Sequence, residues 1–239
     1  MAALVTAVLS AGRPGNVPGM AGHCAGLRPV WLVPRGEEAA YRRAGAARVE
    51  GVPGGLPGAR NRALDLAAEA GGWCVQLDDD LRAVRMLLPD KRVIRISLAD
   101  AVHSIAGSMK ETGARLGGVA PTANAYFCRR PLTDWGFVIG SLAVLVPGPE
   151  RYDPELFLKQ DWDMCLQHLH AYGRVARRDD ILADFAHYSN GGGVVRYRTP
   201  ELEGAMQQRM LARWPDLVRP HPRRANELAM KPRPKQQVA

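Results

Sequence analysis

The stretch from Trp73 to Leu81, WCVQLDDDL, constrains this chain more than any other. A run of strand-forming residues stops at three consecutive carboxylates, Asp78, Asp79 and Asp80, whose mutual repulsion is costly unless a positive charge holds them together. Side chains alternate along a strand, so Asp78 and Asp80 face one way and Asp79 the other. Two hard carboxylate ligands on one side of a strand end suit Mg²⁺ or Mn²⁺, ions that keep coordination positions open for substrate phosphates. The stretch therefore reads as a metal and diphosphate site. The competing reading is a solvated acidic turn, and the apolar run before the triplet weighs against it.

Upstream, Leu4 to Leu9 has the same buried-strand character and runs into the loop Ser10-Ala11-Gly12-Arg13-Pro14-Gly15. A loop at the carboxyl end of a first parallel strand is a common nucleotide seat, which makes Ser10, Gly12 and Arg13 candidate binding residues. The opening MAALVTAVLSAG lacks a basic leader and is read as this strand rather than as a signal peptide. Val30 to Val33 and Val49 to Val52 are further strands, with a short helix from Glu37 to Ala44 between them. From Ala59 to Ala70 the spacing predicts a helix with Ala59, Ala63, Leu66, Ala67 and Ala70 on one face, stopped by Gly71-Gly72. Strands alternating with helices imply an α/β fold, a mostly parallel open sheet flanked by helices, with the acidic triplet at the carboxyl edge of its fourth strand. The glycines of Pro53 to Gly58 do not have the spacing of a phosphate-binding fingerprint. Arg60 in the first turn of the helix reads either as a partner for an anion or nearby carboxylates, or as a plain surface arginine. Asp79 is counted among the binding residues because it can orient a neighbour such as Arg60.

Beyond the triplet, Val84 to Leu88 and Val93 to Ile96 form a hairpin around Pro89-Asp90-Lys91. Ser97 and Asp100 make a capping box for a helix whose stripe is Leu98, Val102, Ile105 and Met109, and His103 within it is read as structural. Gly117 to Ala120 is a short strand. Asn124 to Trp135 mixes Tyr126, Phe127 and Trp135 with Arg129 and Arg130, side chains that can stack bases and hold phosphates, or can equally make a half-buried edge strand. Gln160 to Tyr172 is a helix with Trp162, Cys165, Leu166 and Leu169 inward. Asp161 and Asp163 sit at its start, either satisfying the helix dipole or, in one of them, supplying a general base. Ile181 to Phe185 is a strand leading to His187, three glycines at 191–193 and the arginines Arg196 and Arg198, a loop suited to closing over a diphosphate. Thr199-Pro200-Glu201 starts the last helix with Leu202, Met206 and Met210 inward.

A net charge of +8 points to a polyanionic partner, and much of the excess lies in the last residues. From Arg219 onward there are six Lys or Arg against the single acid Glu227, in a proline-rich and apolar-poor setting that predicts an extended or disordered basic tail over 219–239. That tail is either a solubilising end or a nucleic-acid arm. Residues 1–218 are expected to form one domain. The four cysteines are scattered without metal-ligand spacing, which argues against a zinc site or a disulfide scaffold and fits a reducing compartment. No apolar run is long enough to span a bilayer, so no membrane partner is expected.

Taken together, the Ser10–Arg13 loop, PGGLPGARNRALD, VQLDDDLR, KQDWDMCLQ and SNGGGVVRYRTPE resemble the TET-associated glycosyltransferases, phage-type enzymes of the GT-A fold. The resemblance covers about residues 4 to 218. It implies transfer of a sugar from a nucleotide sugar, typically UDP-linked, onto 5-hydroxymethylcytosine in DNA made by a partner TET/JBP-type dioxygenase. It further implies Mg²⁺ or Mn²⁺ held by Asp78 and Asp80, the DxD motif of the family. Asp161 matches the aspartate of the acidic pair near the acceptor, although Gln160 stands where that pair has Glu. His187 falls where many GT-A enzymes place a late metal ligand. Such an enzyme would work in the cytoplasm, of an infected bacterium if phage-encoded. Two other classes fit the residues: a GT-A transferase acting on a protein, lipid or polysaccharide, and a non-catalytic nucleotide- or DNA-binding module.

Overall fold

In the computed structural model, which describes residues 3–186 and 198–234, the strand Trp73–Asp78 lies inside a mixed eight-stranded sheet. The first half alternates as its apolar runs suggest: β1 (Leu4–Leu9), α1 (Val17–His23), β2 (Val30–Pro34), α2 (Glu38–Arg43), β3 (Val49–Val52), α3 (Gly55–Glu69) and β4 (Trp73–Asp78). An antiparallel pair follows, β5 (Leu81–Leu87) and β6 (Val93–Arg95), then α4 (Leu98–Thr112), β7 (Leu116–Val119), β8 (Leu132–Thr133) and β9 (Leu142–Leu145). The chain closes with α5 (Gln160–Tyr172), β10 (Ala176–Arg178), β11 (Ile181–Phe185), α6 (Pro200–Arg213), β12 (Val218–Pro220) and β13 (Leu228–Met230).

The main sheet has the order β3-β2-β1-β4-β9-β7-β10-β8. Pairing is parallel from β3 through β4 and between β7 and β10, but antiparallel at β4/β9, β9/β7 and β10/β8. The expectation of a mostly parallel sheet is thus corrected to a mixed one. The reason is β9, an apolar strand that no local signal assigns to a place, wedged antiparallel between β4 and β7. Residues alternate between two buried faces. Ala7, Leu9, Val30 and Leu32 pack with α3, α5 and α6, whereas Val8, Trp31, Val33, Val75 and Leu77 pack with α1, α2 and α4. Two buried faces explain why these strands are apolar throughout rather than at every second position.

Helix α3 lies close on the first face because Ala59, Ala63 and Ala67 are small and buried. Leu64 completes that face, and Ala70, expected there, is exposed at the helix end. The helix also begins earlier than its apolar pattern indicates. Gly54 and Gly55 take positive φ, and a Cβ on Gly58 would stand 2.1 Å from the Pro53 carbonyl oxygen, so the glycines make a turn too tight for side chains.

A second sheet, β11-β5-β6, turns away from the main one at Asp79 and Asp80, where the Ala186 amide donates to the Asp80 carbonyl at 2.9 Å. The segment expected to be a loose tail is folded as far as it is described. β12 and β13 pair antiparallel, Val218 and Leu228 are buried in the core, and Trp135 Nε1 donates to the Lys231 carbonyl at 3.0 Å. Leu228, buried in the core, and Met230, partly buried against it, give an otherwise polar segment two apolar anchors. Among the described residues, no helix is long and apolar enough to cross a membrane.

Candidate active site

β1 to β3 step outward along one side of the sheet, and α3 then carries the chain back to β4 on the other side of β1. The strand order reverses between β1 and β4, and a crevice opens there at the carboxyl ends of the strands, the usual ligand position in open α/β sheets. Both motifs singled out in the sequence end at this point. Leu9 is in register with Asp78, so Ser10 and Asp79 are neighbours across the reversal. The resulting cleft has a volume of about 980 Å³. Ser10, Gly12, Arg13, Arg60, Asp78, Asp80, Asp161 and Arg198 all line it.

The three aspartates have separate environments. Asp79 turns inward and is buried. The Ser10 hydroxyl donates to it, and Arg13 meets it through Nε at 3.0 Å and through a terminal nitrogen at 2.5 Å. Tyr41 completes this clamp, since its hydroxyl lies 2.6 Å from Ser10 Oγ and accepts the Arg13 amide at 3.0 Å. Burial pushes the Asp79 carboxyl up to about 6, with the Ser10 and Arg13 interactions opposing it. Asp79 therefore orders the loop after β1 and does not orient Arg60, which corrects the sequence expectation.

Asp78 faces the cleft, and Arg60 is its partner at 3.1 Å. Arg60 is not a surface arginine: only 2% of it is exposed. Its guanidinium also donates to Gln76 Oε1 at 3.0 Å and to the Gly140 carbonyl at 2.8 Å, while Tyr152 donates to the same Gln76 oxygen at 2.8 Å. Gln76 returns a bond from Nε2 to the Arg60 carbonyl at 3.0 Å. A buried cation is tolerated when such a set satisfies it. Asp80 also faces the cleft, with Arg13 3.9 Å away.

Asp161 lies across the cleft in the first turn of α5, where it accepts from the Trp162 amide at 2.8 Å and the Gly140 amide at 3.4 Å. Burial raises its carboxyl above the ordinary aspartate range, opposed chiefly by the charge of Arg60. Asp163, two residues on, points away from the cleft into contacts with Trp214 Nε1 at 2.8 Å, Gln167 Nε2 at 2.7 Å and Arg213 at 3.2 Å. Its role is to join α5 to α6. Arg198 pairs with Glu203 at 3.0 Å. His187 and Arg196 lie outside the described residues.

Several cleft residues carried no sequence signal of a site. Lys159 is buried and paired with Glu227 at 3.5 Å, and Arg224 and Glu227, from the connection between β12 and β13, close one rim. Glu37 accepts the Gly12 amide at 2.7 Å. Gln76 could have been found, since an amide in the middle of an apolar strand needs a buried partner. The rest depend on chain returns that no local pattern encodes. Among the described residues, no group of three or more His, Cys, Asp or Glu is disposed to hold a metal ion. No family model matches the chain, and no curated protein matches it.

Proposed function

We propose that this cleft belongs to a GT-A-like glycosyltransferase that moves a sugar from a nucleotide sugar, UDP-linked, onto the hydroxyl of 5-hydroxymethylcytosine in DNA. The observation that carries the transferase reading is the pair Asp78 and Asp80, both turned to one cleft at the strand-order reversal, with a half-buried carboxylate, Asp161, across from them. The choice of acceptor rests on the resemblance stated above, as does the supply of hydroxymethylated DNA by a TET/JBP-type dioxygenase.

Two carboxylates fit Mg²⁺ or Mn²⁺ held jointly with a diphosphate, because such ions commonly take one or two protein carboxylates and fill the other positions with phosphate oxygens and water. Such an ion, when bound, would neutralise charge developing on the leaving diphosphate. The chain's own residues supply the remainder. The loop after β1, held by Asp79 and Tyr41, shapes the nucleotide end of the cleft, and Arg60 fixes the Asp78 carboxylate. Asp161 receives the proton of the acceptor hydroxyl as its oxygen bonds to the anomeric carbon and the bond to the diphosphate breaks.

The test is metal-dependent hydrolysis of a panel of nucleotide sugars, followed by mass spectrometry of hydroxymethylated DNA incubated with each. Asp80→Asn keeps side-chain size and removes a charged ligand, so both activities should be abolished while the melting temperature is retained. Full activity in that protein would sink the site.

A further inference from the structure

The large apolar side chains that stand exposed among the described residues are Val93, Ile94, Tyr126 and Phe127. They come from two segments far apart in sequence, the β5–β6 hairpin and the loop before β8. Both flank one two-residue turn, Asp179-Asp180: the Asp179 amide donates to the Pro131 carbonyl at 2.9 Å, and the Leu87 amide donates to the Asp180 carbonyl at 2.8 Å. Lys91 at the hairpin tip is near enough to act electrostatically on Cys128 in the loop. Both segments also leave from the cleft, since β5 follows directly on Asp80 and Pro121 lines the cleft ahead of the loop.

The surface is basic as well as apolar. Arg82, Lys91, Arg92, Arg95, Arg129 and Arg130 are exposed in these two segments, whose one acid, Asp90, is paired with Arg92 at 2.7 Å. The register sets Arg85 directly opposite Arg95 across the β5–β6 pair, a like-charge arrangement that is unfavourable by itself and relieved by an anion. Tyr126, 72% exposed, packs edge-on against Phe127 at 5.3 Å and carries the Arg129 guanidinium 5.6 Å from its ring centre. Charges on the edge strand β6 would also discourage strand pairing between molecules, but that purpose does not account for two aromatic rings held in solvent.

We infer that this surface binds a nucleic-acid strand with unstacked bases, stacking them on Tyr126 and Phe127 while the arginines and Lys91 hold phosphates, and feeds that strand toward the cleft. Rings beside a basic track bind single strands in this way because every base offers a π-face. Binding itself follows from the surface alone. Its use as the acceptor path rests on the proposed function.

The experiment measures fluorescence anisotropy of a labelled oligo-dT strand and of a mixed-sequence duplex of the same length, without nucleotide sugar. The wild type should prefer the single strand, and its affinity should fall with rising salt. The double variant Tyr126→Ala/Phe127→Ala should bind the strand about 10-fold more weakly or worse. Arg129→Glu/Arg130→Glu should do the same and flatten the salt dependence. All these side chains are exposed, so melting temperatures should match the wild type. Unchanged affinity in both variants, preference for the duplex, or binding to phosphatidylserine vesicles in place of the oligonucleotide would each overturn the inference. No turnover is needed, so a cleft that fails to hydrolyse nucleotide sugars leaves this result standing. A failure here likewise leaves the cleft reading intact.

Discussion

At the scale of single residues, Asp161 separates a functional carboxylate from a structural one. Its pKa is raised by burial, which means the folded state favours the protonated form. Its contribution to stability is therefore greatest below the ordinary aspartate pKa and is lost as pH rises through the raised value. The proposed transfer would have the opposite sign, because only the ionised group can accept a proton. Asp161→Asn should thus cut transfer by about 10² or more, yet leave stability at neutral pH equal or slightly improved. In the wild type, kcat should fall as pH drops through the raised pKa, and this acid limb should be absent from the residual activity of the variant. A normal rate with a lowered melting temperature would assign Asp161 to the helix start alone. Arg60 is the converse case. Its charge is buried and met by three acceptors, Asp78, Gln76 and the Gly140 carbonyl, so Arg60→Met should cost about 3–5 kcal/mol in urea unfolding, through the uncompensated acceptors it leaves. A Cβ on Gly140 would come within 2.9 Å of the same guanidinium and 3.0 Å of Asp161 Cβ. Gly140→Ala should therefore displace both groups, raising KM for the nucleotide sugar and lowering kcat together.

At the scale of elements, what could be read from the chain was whatever its local chemistry specifies. The strands β1, β2 and β4 carry largely apolar runs, α4 begins at the Ser97 and Asp100 box, and α6 begins at Thr199, whose hydroxyl accepts the Leu202 amide at 3.2 Å. Each lies where its residues put it, because caps and alternation act over a few positions. The place of Asp78 and Asp80 at the end of β4 was legible for the same reason. What was not legible is how elements meet: that β9 inserts antiparallel, that Tyr41 of α2 reaches the loop after β1, and that Gln76 and Tyr152 satisfy Arg60. These contacts join residues tens of positions apart, and one sequence does not state them. The clamp on the β1 loop gives an element-scale test. Tyr41→Phe keeps the buried ring and removes the hydroxyl that links Arg13 to Ser10, leaving polar atoms without a partner at a cost of about 1–3 kcal/mol. The loss should appear in nucleotide affinity and in faster amide exchange of residues 10 to 13, with the sheet unaffected. Equal exchange in the two proteins would show that Asp79 alone holds the loop.

At the scale of the whole molecule, the C-terminal residues decide whether the cleft is a property of the sheet or of the complete chain. Their composition suggested an appendage, but the β12–β13 pair is fastened at several points. Leu228 is buried, Gln207 Nε2 donates to the Glu227 carbonyl at 2.6 Å, Asn226 Nδ2 donates to the Pro200 carbonyl at 2.9 Å, and Lys159 finds its carboxylate in Glu227. Truncation before His221 would expose the apolar surface under Leu228, worth about 1.5–3 kcal/mol by area. It would also strip the partner from a buried ammonium that lines the cleft. For a chain of this size, each kcal/mol lowers the melting temperature by roughly 2–4 °C, so the truncated protein should melt about 3–12 °C lower, and its nucleotide-sugar hydrolysis should fall with it. Glu227→Gln separates the two effects, since the β pair and Leu228 remain while the charge facing Lys159 is gone. Its melting temperature should fall less than that of the truncated chain, because Glu227 is partly exposed and water screens the pair. A truncated protein that melts and hydrolyses like the full chain would return these residues to the status of a detachable basic tail, and would place every determinant of the cleft in the sheet and its helices.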